Sequence, residues 1–101
     1  MAVLESFQKQ YLKGLAHPLK PVVQVGASSL TEGVFKAVQE ALETHELVKV
    51  RLAKPEDKQA MAQSLAEHTE SHLVALLGHT VVLYKRRKKD PRIVLPTRVA
   101  R

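Results

Sequence analysis

Leu4, Phe7, Tyr11, Leu12 and Leu15 recur at the spacing of one helix face, and this predicts a helix over residues 4–16. Ser6 suits its N-cap if the helix starts late. Pro18 disfavours helical geometry in the residue before it, so the helix must end by His17. Pro18 and Pro21 then frame an extended link into Val22-Val23-Gln24-Val25, a β-branched run closed by Gly26 and predicted as a strand. Ser29 followed by Glu32 matches a capping box and opens a second helix reaching about Glu46, with Leu30, Val34, Phe35, Val38, Ala41 and Leu42 as its apolar stripe. From Leu47 to Leu52 the pattern alternates: Val48, Val50 and Leu52 on one face, Lys49 and Arg51 on the other. A half-buried strand with a basic outer face is expected. Pro55 suits the first turn of a third helix, with Glu56 and Asp57 near its positive end and Met61, Ala62, Leu65 and Ala66 as its buried side. Leu73–Leu77 and Thr80–Tyr84 flank Gly78-His79, a two-residue Gly-X signal for a type II′ hairpin.

The element order is therefore α-β-α-β-α-β-β, an α/β chain. Two β-α-β units should align their strands and the final hairpin should add an antiparallel one, giving a four-stranded mixed sheet packed with helices. The polar side of the Leu47–Leu52 strand suggests that one sheet face is not fully covered. Residues 1–84 are expected to form a single domain. Residues 85–101 form a basic, Pro-punctuated tail in which Ile93-Val94-Leu95 either adds a short strand or only docks.

At 101 residues one core is expected. With 45% hydrophobic and 26% charged residues the composition is that of a globular protein, not a disordered one. The absence of cysteine excludes a disulfide scaffold, a thiolate metal site and a thiol nucleophile. No apolar run is long enough to span a membrane, and the opening residues MAVLESFQKQ lack a signal-peptide pattern. A cytoplasmic protein is expected.

The formal charge is +6, and its distribution is uneven. Residues 27–84 are net acidic, whereas residues 85–101 carry eight bases against Asp90 alone. Lys9, Lys13 and Lys20 add a smaller basic excess near the start. That asymmetry favours a polyanionic partner, most simply nucleic acid.

Gly26-Ala27-Ser28-Ser29 joins a strand to a helix start, a junction that can present backbone N–H groups to a phosphate. On local sequence alone an ordinary capped turn explains it better, and neither a dinucleotide fingerprint nor a Walker loop is present. Lys85-Arg86-Arg87-Lys88-Lys89 reads either as phosphate contact or as a solvated tail. Together with Lys13, His17 and Lys20, contact with RNA or DNA is favoured. Phe7 and Phe35 fall on apolar stripes and suit the core, while Tyr11 and Tyr84 are open. So few aromatics argue against a base-stacking sheet and for backbone and shape contact. His68 and His72 are four apart, but no ligand set is completed, and no metal or other cofactor is expected. Glu40, Glu43 and Glu46 resemble a solvated helix face. Ser28, Ser29 and His79 form no visible triad, so an enzyme is not expected, and neither is a small-molecule substrate.

Four blocks, LKGLAHPLKPVVQVG (12–26), LTEGV (30–34), HELVKVR (45–51) and GHTVVLYKR (78–86), resemble the stand-alone bacterial YhbY-type CRM domain, the chloroplast RNA splicing and ribosome maturation domain. The resemblance covers nearly the whole chain. It implies a compact RNA-binding fold similar to the C-terminal domain of bacterial translation initiation factor three. The family's GxxG loop falls on Gly26-Ala27-Ser28-Ser29, with Ser29 in place of the second glycine. An RNA site is then expected over Gly26, Ala27, Ser28, Ser29 and Thr31, with Lys13, His17 and Lys20 near that loop. Lys85, Arg86, Arg87, Lys88 and Lys89 would extend it.

The expectation is a monomeric, non-enzymatic RNA-binding protein. Its partner would be large-subunit rRNA in a pre-ribosomal particle, and its role ribosome biogenesis. The alternatives are an RNA chaperone or intron-splicing factor, or a protein-interaction adaptor on the ribosome.

Overall fold

The chain is represented by a computed structural model that describes residues 4–26, 30–53 and 57–97. Helix α1 (Ser6–Ala16) leads through residues 17–22 into strand β1 (Val23–Val25). Helix α2 (Glu32–His45) and strand β2 (Leu47–Leu52) follow, then helix α3 (Lys58–His68) and strands β3 (His72–Leu77) and β4 (Thr80–Tyr84). The predicted order holds throughout.

Helix starts differ from the expected caps. Glu5, not Ser6, is the N-cap of α1, and its backbone N–H donates to Gln8 Oε1 at 3.0 Å. For α2 the cap is Thr31, whose Oγ1 accepts from the Val34 N–H at 3.3 Å. Glu32 is then the first residue of α2 and not the third, so it does not close the expected Ser29–Glu32 box; Ser29 itself lies outside the described residues. Asp57 caps α3 through the Ala60 N–H, and Pro55 and Glu56 lie outside the described residues.

The sheet order is β1-β2-β4-β3. β1 and β2 are parallel, as a β-α-β unit requires. β3 runs in the same direction as β2 but is not its neighbour; β4 lies between them, antiparallel to both. The hairpin turn has positive φ at Gly78 (+60°) and not at His79, as a type II′ turn demands.

Alternation along the strands divides the core into two layers. Val25, Val48, Val50, Leu52, Val81 and Leu83 face α2 and α3, which contribute Val38, Leu42, Ala62 and Leu65. On the other face Leu47, Val74, Val82 and Tyr84 pack under α1 through Leu4, Leu12 and Ala16. Tyr84 is therefore core, while Tyr11 is 43% exposed. A single helix does not cover a four-stranded face, so Gln24 and Arg51, paired across β1 and β2, remain exposed. Half-buried Lys49 on β2 is a strut. Its Nζ donates to the carbonyls of His17 and Leu19, both at 3.0 Å, and fixes the link into β1.

The segment after β4 folds back onto the α1 layer. Ile93 and Leu95 pack against it, and Gln8 Nε2 donates to the Pro96 carbonyl at 3.2 Å. No strand forms over residues 93–95; the segment docks.

Candidate nucleic-acid interface

The expected site residues fall into groups that the fold sets apart. Gly26 leaves the C-terminal end of β1, beside Leu52 and the hairpin end of the sheet. Thr31 starts α2 at that same end, its hydroxyl engaged as the cap. Ala27, Ser28 and Ser29 lie outside the described residues. The basic run leaves β4 at Tyr84, which pairs with Leu47 at the other end of β2. Six residues of β2 and fourteen of α2 connect the two ends, so they are about 20 Å apart.

Lys13 and His17 are exposed on and just after α1. Lys9, four residues before Lys13, shares its row and is also exposed. It joins the basic surface although the sequence reading places no site residue there; the four-residue spacing is the signal that finds it. Lys20 does not sit beside the Gly26 loop, because β1 separates the two. Instead it lines a groove of about 350 Å³ with Leu15, Leu19, Val22, His45 and Ile93. Lys20 therefore belongs to the end of the molecule where α2 finishes and the basic run begins.

The five bases are not equivalent. Lys85 is half-buried: its N–H donates to the Glu46 carbonyl at 2.8 Å and its Nζ to the Thr69 carbonyl at 3.2 Å. Arg87 is also half-buried, whereas Arg86, Lys88 and Lys89 are exposed. Together the five line a groove of about 330 Å³ against Leu42 and Glu43 of α2. Below Lys85, Arg86 and Lys88, a wider recess of about 680 Å³ is walled by Leu4, Tyr84 and Leu95.

What holds this run is Glu46. Its spacing groups it with Glu40 and Glu43 as a solvated acidic face, and the structure corrects this: Glu46 is 0% exposed. It caps α2 with φ +63°, which turns its side chain away from the helix row that carries the other two. Its Oε2 accepts the Arg87 N–H at 3.0 Å. Its Oε1 accepts the N–H groups of Arg92 at 2.5 Å and Ile93 at 2.8 Å. Burial alone would raise its pKa, but the three backbone donors and the Arg87 charge together outweigh burial and hold it below the ordinary 4.5. The partners lie 41–47 positions away, so no local pattern announces them.

His68 and His72 are not a pair on one helix. α3 ends at His68 and His72 begins the β3 strand, so they do not share a helix face. His68 stacks on Phe35 with ring centroids 4.3 Å apart, and its Nδ1 lies 2.9 Å from the Ser64 carbonyl. Among the described residues no group of three or more His, Cys, Asp or Glu could hold a metal ion, and no helix is long and apolar enough to cross a membrane.

Residues 4–85 match the CRS1/YhbY (CRM) domain. The chain is 44% identical over 98 residues to an RNA-binding protein of Haemophilus influenzae, covering 95% of this chain and 98% of that one. It is 40% identical to YqeI of Bacillus subtilis, named a probable RNA-binding protein, covering 93% of this chain and all of the relative. Its fold matches the solution structure of SAV1595 from Staphylococcus aureus, described as a candidate RNA-binding protein. The TM-score is 0.82 at 36% identity, over 93% of this chain and all of that one.

Proposed function

Since the chain belongs to the CRS1/YhbY (CRM) domain family, we propose that it binds large-subunit rRNA in pre-ribosomal particles, through backbone phosphates, and assists their assembly. The observation that carries this reading is the basic run. Arg86, Lys88 and Lys89 are exposed side by side on a backbone anchored at both ends. Exposed cations on an ordered backbone suit a polyanion whose charges are regularly spaced, and they supply affinity without reading bases. Lys13, His17 and Lys20 extend the contact around α1 and the link after it. Gly26 and Thr31, at the opposite end of the sheet, belong to a second contact that Ala27, Ser28 and Ser29 complete in this reading. No residue in this reading performs chemistry on the RNA.

An adaptor role through the tail is less well supported. Of its apolar run Ile93 and Leu95 already pack on the domain's own α1 layer, which leaves only Val94 of the three exposed. The test is the distribution of tagged protein across a ribosomal sucrose gradient, with RNase and high-salt controls. Co-migration with immature large-subunit particles, abolished by high salt, is expected. A position only at the top of the gradient would refute the ribosomal assignment, and binding that ignores salt would refute phosphate contact.

A further inference from the structure

We infer that Glu46 is a positioning residue for RNA binding: a buried anion that shapes the cationic loop 85–93 while making no contact with RNA itself. The inference rests on the reading of the basic run as an RNA contact. The loop is closed at both ends by this one residue. The Glu46 carbonyl takes the Lys85 N–H where the loop leaves β4. Its carboxylate takes the Arg87, Arg92 and Ile93 N–H groups, drawing the far end back to the near one. Between the Arg87 and Arg92 ties lie Lys88, Lys89, Asp90 and Pro91, and Asp90 has φ +53° as the chain reverses. All three of the carboxylate's partners are main-chain groups, so it sets the backbone path and leaves the Arg86, Lys88 and Lys89 side chains pointing to solvent.

A second observation is independent of the hydrogen bonds. At φ +63° and ψ −39° Glu46 occupies a backbone conformation that L-residues rarely adopt and that glycine tolerates better. Strain of this kind persists where the surroundings over-determine it. Here they are the three donors that the twisted backbone lets the carboxylate reach.

The consequence has an unusual sign. Removing a negative charge beside a phosphate-binding surface should tighten RNA binding if charge alone decides. If Glu46 positions the loop, removing it should weaken binding, because the RNA must then order the loop itself. Glu46→Gln is the cleanest variant. It keeps a carbonyl oxygen for Arg92 and Ile93 and turns an NH₂ group against the Arg87 N–H. Affinity for transcribed large-subunit rRNA at fixed salt is expected to fall about fivefold, equivalent to about 1 kcal/mol. Amide exchange at Arg87, Arg92 and Ile93 should quicken while the β2 and β4 amides stay protected. Neutralising Arg86, Lys88 and Lys89 together should cost less affinity in the Glu46→Gln background than in the natural one.

Glu46→Asp provides a charge-conserving control, since it keeps the anion and shortens its reach; it should lose affinity in the same direction. Equal or tighter binding by either folded variant, with the loop amides deprotected, would overturn the inference. If Glu46→Gln does not fold, the Asp variant decides alone. If neutralising the three bases leaves the natural protein's affinity unchanged, the basic run is not an RNA contact, and that underlying reading falls with the inference.

Discussion

Lys85 and Lys88 are three residues apart in one cationic run, yet their surroundings differ and predict different effects on substitution. The Lys85 Nζ donates to the carbonyl of Thr69, the C-cap of α3, where the helix end favours a cation. Thr69 is itself buried, and its hydroxyl donates to the Leu65 carbonyl at 2.7 Å. Lys88 and Lys89 are exposed. Replacing Lys85 by alanine should therefore lower unfolding free energy by about 1 kcal/mol, the charged hydrogen bond being discounted for its partial exposure. It should leave the salt dependence of RNA binding nearly untouched. Replacing Lys88 and Lys89 should do the reverse. For every phosphate no longer neutralised, the slope of log K against log salt falls by about 0.7–0.9, so the pair should lower it by about 1.4–1.8 with little change in stability. Fluorescence anisotropy with labelled rRNA across a potassium chloride series gives the slopes, and urea unfolding gives the stabilities. A Lys85 variant of normal stability whose slope falls as far as that of a Lys88 variant would refute the division.

Three further outcomes follow from the packing. Glu46→Gly and Glu46→Ala both lose the clamp, but only glycine relieves the positive φ, so the alanine variant should be less stable by about 1 kcal/mol in urea. Acid should destabilise the protein in two steps. Burial first, and then nearby positive charge including Lys9, hold the His72 pKa below 6.5. The unfolded chain thus binds the proton more readily, and stability falls as pH drops below 6.5. The lowered pKa of Glu46 contributes stability above 4.5 that is lost as pH falls through the folded value. In thermal melts, His72→Phe should flatten the first step and Glu46→Gln the second; a pH profile unchanged by both would refute these assignments. Leu83→Ala removes a fully buried side chain from the layer under α2 and α3, and should cost about 2–5 kcal/mol by denaturant titration.

Elements of this fold that rest on local periodicity are readable from residues alone. The alternation Val48-Lys49-Val50-Arg51-Leu52 predicts a strand with one apolar face, and that face lies against α2 and α3. Gly78 predicts the hairpin, and Pro18 predicts where α1 stops. What the residues do not disclose depends on distant partners. β4 inserts between β2 and β3, a pairing that no local pattern specifies. Lys49 looks like an exposed base by alternation and becomes a strut because the link after α1 brings two carbonyls over it. Glu46 continues the acidic spacing of Glu40 and Glu43 but sits one residue past the helix, where a positive φ redirects it. In the candidate site, the basic run is conspicuous as composition, but its shape is not. Lys20 and the Gly26 loop are close in sequence, yet an extended strand between them carries them to opposite ends.

That separation bears on how RNA can engage both ends. α2 is a rigid spacer: its first turn stands at the Gly26 end and its C-cap holds the basic loop. About 20 Å between the ends exceeds the roughly 8 Å over which charges sense one another at physiological salt. Charges at the two ends therefore do not reinforce each other's potential, and any cooperation between the ends must come from one RNA touching both. Arg51, exposed near the Gly26 end, and Lys88 at the other end test this. On one continuous RNA, Arg51→Ala and Lys88→Ala should each lower the salt slope, and the double variant should lower it by their sum. The corresponding losses in binding free energy should add within about 0.5 kcal/mol. On an RNA too short to span the molecule, one of the two substitutions should have no effect. If both substitutions matter equally on the short RNA, the ends are not separate contacts, and the geometry of α2 does not set the footprint.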